Sequence, residues 1–388
     1  MTARAQAAVA ELLAAKEMVV VCGSGGTGKT TIAAALGARA AAVVGGRVLV
    51  LTVDPARRLA TALGIGAFGN TEVQVPAEAF TAAGVQPRGE MWVAMLDTKA
   101  GWDDLVRRHA PDAALRDKVL ANPLYRNITG RFVHSHDYIA MERLQELHAS
   151  GRYDLVIIDT PPSRNALNLL DAPGRMRDFF GSRLLRWLTV PYRSRLFTLA
   201  SKPFYQVADR VLGSRFLQDI AEFFILFQAM EPGFVARAKD VERLLTDQRT
   251  TFVVVSTLEA APAHEAHFLA DELRARRMPL GALVLNRVLP ASIRQAAAAK
   301  AAQQLRDASA DATLTRHLGR LTASTSDEVR DVLAEVAERF PETVVVAARE
   351  AERRRELAAV APIVVDVPTM RDDINDLAGL LALGSNLL

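Results

Sequence analysis

Gly23-Ser24-Gly25-Gly26-Thr27-Gly28-Lys29-Thr30 is the stretch whose reading decides the fold, and Thr31 follows it directly. It is a complete G-x-x-x-x-G-K-[ST] phosphate-binding loop. Its four glycines let the backbone curl so that N–H groups point inward at phosphate oxygens. The apolar residues 18–22 before it read as a buried strand. The Ala-rich residues 31–42 after it read as a helix whose positive dipole end faces the same oxygens. In that setting Lys29 reaches the β- and γ-phosphates, and the Thr30 hydroxyl is placed to ligate Mg²⁺. With Gly at about 7% of residues, a chance match is expected in roughly one protein in a hundred, and the flanking strand and helix lower that further. The octet predicts nucleotide binding.

Outward from the loop, short apolar, β-branched runs alternate with helical patterns. The strand candidates are 18–22, 47–53, 91–96, 154–159, 251–257, 281–286 and 362–367. This alternation predicts an α/β fold of the phosphate-loop NTPase type, a mostly parallel sheet covered by helices on both faces. Ligands in such sheets sit at the carboxyl ends of the strands, where the loop, Asp54-Pro55 and Asp159-Thr160 all fall. The chain reads as a single domain over 1–388. Residues 98–150 look helical throughout, with Pro111 and Pro123 as breaks, and 290–358 look helical, charged and solvated. Residues 173–247 read as an inserted helical subdomain of unusual composition. Positions 179–234 hold twelve of the chain's 23 aromatic residues, and 175–215 carry nine Arg or Lys against two Asp. Two readings stay open there: an apolar groove for a client or partner, or a helical layer packed on the sheet with Arg outside.

Composition narrows the classes. Half of the 388 residues are hydrophobic, enough for a sizeable core, and the formal net charge is only +3. Basic residues are scattered and aromatics segregated from them, so no nucleic-acid footprint is expected. Cys22 is the single cysteine, which excludes an internal disulfide and a Cys-cluster metal site and fits a reducing cytoplasm. No run of 18 strongly apolar residues occurs and no secretory apolar core opens the chain, so a cytoplasmic protein without a membrane span is expected. His264-Glu-Ala-His267 has i,i+3 spacing and does not make the H-E-x-x-H zinc motif.

Two carboxylates carry chemistry. Tyr153-Asp-Leu-Val-Ile-Ile-Asp159 ends in an acid, as a Walker B strand does, and Asp159 is the candidate to hold Mg²⁺ opposite Thr30; the alternative is an Asp that caps the following turn. Asp54 ends the strand after the loop helix, in Leu51-Thr-Val-Asp-Pro-Ala-Arg-Arg-Leu. It is placed either to orient water in line with a γ-phosphate or to cap a helix that Pro55 starts.

Taken together, residues 23–31, Val53-Asp-Pro-Ala56, Asp159-Thr-Pro-Pro-Ser163 and Val284-Leu-Asn-Arg287 resemble the ArsA family of ATPases. That family includes the arsenite-pump ATPase and the ATPase that guides tail-anchored membrane proteins. The resemblance covers nearly the whole chain, ending in Val367-Pro-Thr-Met and the helix expected over 372–383, and is nearest to actinobacterial members. It implies that Asp54 is the switch I aspartate positioning the hydrolytic water and Asp159 the switch II aspartate near Mg²⁺. It also implies that Asn286 hydrogen-bonds adenine and that the backbone around Pro368 closes the base pocket. ATP rather than GTP agrees with the absence of an [NT]-K-x-D signature. Family members dimerise face to face across their nucleotides.

Three departures qualify these implications. The family loop carries a first Lys that reaches the partner's phosphates, and Ser24 stands in its place. Either Arg57, Arg58 or Arg164 substitutes, or a paralogous partner supplies the Lys, and the partner is favoured. Cys22 alone cannot bind a metalloid. The C-x-x-C clasp of the tail-anchored-protein ATPases is absent. The helix at 372–383 carries acids and no Lys, so it is not a basic membrane-targeting helix. The expectation is therefore a Mg²⁺-dependent ATPase acting on a membrane-associated client as a homodimer or heterodimer. The alternatives are an ATP-binding regulatory subunit paired with a Lys-containing paralogue, or the energising subunit of an anion transporter.

Overall fold

Short runs of Val, Ile and Leu with no polar face must be covered on both sides, which a central strand of a parallel sheet achieves. The computed structural model describes residues 3–53, 70–96, 98–122, 135–162, 231–290, 297–309 and 311–388, with a few positions between these blocks. The strands are β1 (Met18–Gly23), β2 (Gly46–Thr52), β3 (Val73–Gln74), β4 (Gly89–Met95), β5 (Leu155–Asp159), β6 (Thr250–Ser256), β7 (Leu280–Val288) and β8 (Ile363–Pro368). They form one sheet in the order β3-β4-β2-β5-β1-β6-β7-β8. Every pairing is parallel except that of β3 with β4. The expected α/β sheet is present. β3 is the strand the sequence reading lacks, since two residues at an edge are too few for alternation to show.

The described helices are α1 (Ala3–Ala14), α2 (Lys29–Arg39), α3 (Ala77–Ala82), α4 (Thr98–His109), α5 (Ala113–Ala121), α6 (Ser135–Ala149), α7 (Glu231–Thr246), α8 (Ala260–Ala275), α9 (Ala297–Ser309), α10 (Ala312–Thr322), α11 (Ser326–Leu357) and α12 (Leu377–Gly384). Strand alternation sorts them into two layers. Met18, Val20 and Cys22 of β1 face one core with Val106 of α4, Leu144 of α6, Leu245 of α7 and Leu269 of α8. Val19 and Val21 face the other, with Leu13 of α1, Ile32 of α2 and Leu381 of α12. Each such side chain contributes about 1.5–3 kcal/mol relative to exposure. The helical expectation for 98–150 agrees with α4, α5 and α6. For 173–247 only the end, α7, belongs to a continuous described block, and the rest of the proposed subdomain lies almost wholly outside the described residues.

Two expectations are corrected in detail. The last helix begins at Leu377 rather than 372, because Asp376 caps it by accepting the Gly379 N–H at 2.7 Å. The described parts of 290–358 are mainly helical, as α9, α10 and α11, and α11 is largely solvated but carries a narrow buried stripe. Ala347 and Leu357 are buried, the Arg354 guanidinium pairs with Asp366 at 2.5 Å, and Arg353 donates to the Leu258 carbonyl at 2.8 Å. Charge counting misses this because a long helix buries a narrow stripe of small and apolar residues while its flanks stay polar. No helix among the described residues is long and apolar enough to cross a membrane.

α6, which leads into β5, is tied to α7 by a buried ion pair. Arg237 Nε donates to both oxygens of Glu142, at 2.9 and 2.7 Å. Burial pushes the Glu142 carboxyl up to about 7, against the opposing pull of Arg237. A raised folded-state pKa means the group's contribution to stability is present below its unfolded value and is lost as pH rises through the folded one. Between pH 5 and 8 the native chain should therefore lose stability relative to Glu142→Gln. Urea unfolding of both proteins across that range reads this difference, and parallel profiles would contradict it.

Candidate functional site: a phosphate loop against a switch carboxylate

The parallel register brings the carboxyl ends of β1, β2, β5 and β7 to one edge of the sheet. β1 delivers the loop there. Gly23 leaves the strand at φ 153°, and a Cβ on it would stand 2.0 Å from the Val255 carbonyl oxygen of β6. Gly28 holds φ 89° immediately before α2, where a Cβ would stand 2.5 Å from Asn286 Nδ2. Only glycine meets both demands.

Inside the loop, Thr27 Oγ1 and Lys29 Nζ both donate to the Ser24 carbonyl, each at 2.9 Å. Asn286, at the end of β7 and 7% exposed, donates from Nδ2 to the Thr27 carbonyl at 2.8 Å. Its Oδ1 accepts the Arg287 N–H at 3.0 Å. Asn286 is thus a strut between β7 and the loop. One N–H and one lone pair of its amide remain for a further contact. Pro368 ends β8 opposite Val288, two residues past Asn286, and Thr369 N–H bonds the Val288 carbonyl at 3.1 Å.

Across the loop stands Asp159, the last residue of β5, with no exposed surface. Its Oδ2 accepts the Thr30 hydroxyl at 2.6 Å and the Thr52 hydroxyl at 3.0 Å. The backbone is fastened on both sides: Val53 N–H bonds the Asp159 carbonyl at 3.0 Å, and Thr160 Oγ1 bonds the Val21 carbonyl at 2.9 Å. The carboxylate therefore addresses side chains of α2 and β2. The structure brings Lys29, Thr30, Asp159 and Asn286 together around the loop. Asp54, Arg57, Arg58 and Arg164 lie outside the described residues. Thr52 is the residue that sequence reasoning missed; its hydroxyl becomes meaningful only once the register sets Thr52 beside Asp159. Cys22 is buried behind the loop in the core; burial pushes its thiol up to about 12, with Lys29 pulling the other way.

These residues fit a nucleoside triphosphate with Mg²⁺. The Ser24 hydroxyl is buried and has no hydrogen-bond partner among the described residues, and a phosphate oxygen would satisfy it. The glycines at 23 and 28 keep Cβ atoms out of the cradle. An oxygen set of one threonine hydroxyl and one carboxylate is the chemistry Mg²⁺ takes alongside phosphates.

A strand, a glycine-rich loop, a helix and an opposed strand-end carboxylate define the phosphate-loop NTPase class. A family model described as anion-transporting ATPase matches residues 16–312, and the chain belongs to that family, the ArsA family of ATPases. An uncharacterised protein of Streptomyces coelicolor is 30% identical over 273 residues, covering 70% of this chain and 62% of that protein, less than two thirds of its length. An ATPase ASNA1 homolog of Entamoeba dispar is 25% identical over 286 residues, 70% of this chain and 76% of that protein. ATPase BagA of Mycobacterium tuberculosis is 30% identical over 152 residues, 39% of this chain and 43% of that protein.

Gly28→Ala should destabilise the fold by about 1–3 kcal/mol, since it adds a strained φ and a clash with Asn286. Chemical denaturation measures this, and an unchanged midpoint would refute the cradle geometry.

Proposed function

We propose that the chain is a Mg²⁺-dependent ATPase whose nucleotide cycle opens and closes a dimer that handles a membrane-associated client or partner in the cytoplasm. The observation that carries the ATPase reading is the contact of the Thr30 hydroxyl with Asp159 at 2.6 Å, one residue from Lys29 on the phosphate loop. Membership of the ArsA family and the described name of the Entamoeba relative support the same class. The dimer and client rest on the family resemblance. Residues 173–247 are proposed as the inserted subdomain and client surface of a single domain spanning 1–388.

In this reading Lys29 exchanges the Ser24 carbonyl for β- and γ-phosphate oxygens, and the Ser24 hydroxyl and loop N–H groups complete the cradle. Thr30, its proton held by Asp159, turns oxygen lone pairs toward the metal position. Bound Mg²⁺ would neutralise charge on the β- and γ-phosphate oxygens. Asp54 orients the attacking water, and Asn286 and the backbone at Pro368 hold the base. Ser24 favours one further reading. A hydroxyl supplies no cation, and an inserted cation is worth about a thousandfold or more in phosphoryl transfer. The chain then pairs with a paralogue that provides the Lys, and serves as its ATP-binding regulatory subunit.

Lys29→Ala should abolish ATP binding, measured by calorimetry. Asp54→Asn should bind ATP as the native chain does and release no phosphate, and full turnover by that variant would end the switch I assignment. Phosphate release by the native chain should rise at least tenfold on adding a Lys-containing paralogue, whereas rapid turnover alone, unaffected by the addition, would remove the partner requirement.

A further inference from the structure

We infer that Thr52 is a positioning residue for the Mg²⁺ site, acting through Asp159. The inference rests on the nucleotide-binding reading above. Thr52 ends β2 and Asp159 ends β5, and the parallel register makes them lateral neighbours on the same side of the sheet. Both are fully buried. Thr52 Oγ1 donates to Asp159 Oδ2 at 3.0 Å, the same oxygen that accepts from Thr30 at 2.6 Å.

An ionised carboxylate is an acceptor only, so each hydroxyl commits its proton to Oδ2. For Thr30 this directs the oxygen lone pairs away from the carboxylate, to where a metal ion can take them. The terminal torsion of a carboxylate has a broad energy well. Thr52 adds to Thr30 a donor from a different element on the same oxygen and narrows the range that Oδ2 can occupy. The threonine methyl of Thr52, packed in a buried position, fixes the rotamer of that donor. Outer partners of this kind orient metal-binding groups without touching the metal.

Position in the chain adds a second role. Thr52 is followed by Val53, whose N–H bonds the Asp159 carbonyl at 3.0 Å, and Val53 is followed in sequence by Asp54. The end of β2 is therefore fastened to Asp159 through a side chain and through the backbone. The strand that leads to the water-orienting candidate is held against the carboxylate assigned to the metal.

The test compares the native chain with Thr52→Val, which keeps shape and loses the donor, and Thr52→Ser, which keeps the donor. Binding of a fluorescent ATP analogue is measured in EDTA and across a Mg²⁺ titration. Thr52→Val should need about 10–100-fold more Mg²⁺ to reach the tight-binding state, the usual cost of removing an outer partner of a metal site. Its affinity in EDTA should change far less than its Mg²⁺ requirement, and circular dichroism reports that the variant is folded. Thr52→Ser should restore native Mg²⁺ dependence, and Thr52→Ala should repeat the valine result if the valine variant is insoluble. Identical Mg²⁺ dependence in native chain and valine variant, or failure of serine to rescue, overturns the role of Thr52 alone. No binding of the analogue by the native chain overturns the nucleotide reading itself and this inference with it.

Discussion

One carboxylate oxygen holds the site together. Asp159 Oδ2 sits at the carboxyl edge of the central strands and takes hydroxyl protons from Thr30 on α2 and Thr52 on β2. A buried carboxylate is tolerable only when hydrogen-bonded, so separating the three elements would cost Asp159 two of its donors. The parallel register makes this possible, because it brings the ends of β1, β2 and β5 level along one edge. On the other flank Asn286 props the loop through the Thr27 carbonyl. The loop is thereby held from β5 and from β7, with α2 starting between them.

Such a scaffold suits a switch better than a static binding site. Some of its polar groups hold internal contacts that a nucleotide can replace or extend: Lys29 rests on the Ser24 carbonyl, and Asn286 keeps half of its amide capacity. Exchange of these internal contacts for contacts to phosphate and base is how a ligand acquires differential affinity for one conformation. In the proposed cycle that difference is passed to a partner. Ser24 makes the partner question specific, since the loop has polarity at that position and no charge.

The central strands and the phosphate loop were legible because both are local patterns. A β-branched apolar run and a G-x-x-x-x-G-K-T octet identify themselves without knowledge of their neighbours. Lys29, Thr30 and Asp159 follow from the same logic. Thr52 did not, since a threonine ending a strand is unremarkable until β2 is known to lie beside β5. The strut role of Asn286 is equally non-local, a contact between residues 259 positions apart. β3 is too short to carry a period, and the buried stripe of α11 is masked by the charges beside it. The ion pair joining Glu142 to Arg237 is hidden for the same reason, as two charged residues on helical patterns read as solvated faces.

The central claim is that a Mg²⁺-bound nucleotide sits between the loop and Asp159. It is tested most directly by a crystal structure of the full chain grown with a non-hydrolysable ATP analogue and Mn²⁺. The account predicts an anomalous Mn²⁺ peak beside Thr30 Oγ1 on its lone-pair side, away from the hydrogen bond to Asp159, with the triphosphate wrapped by residues 23–30. Nucleotide bound elsewhere on the chain, or a metal peak remote from both Thr30 and Asp159, would contradict it.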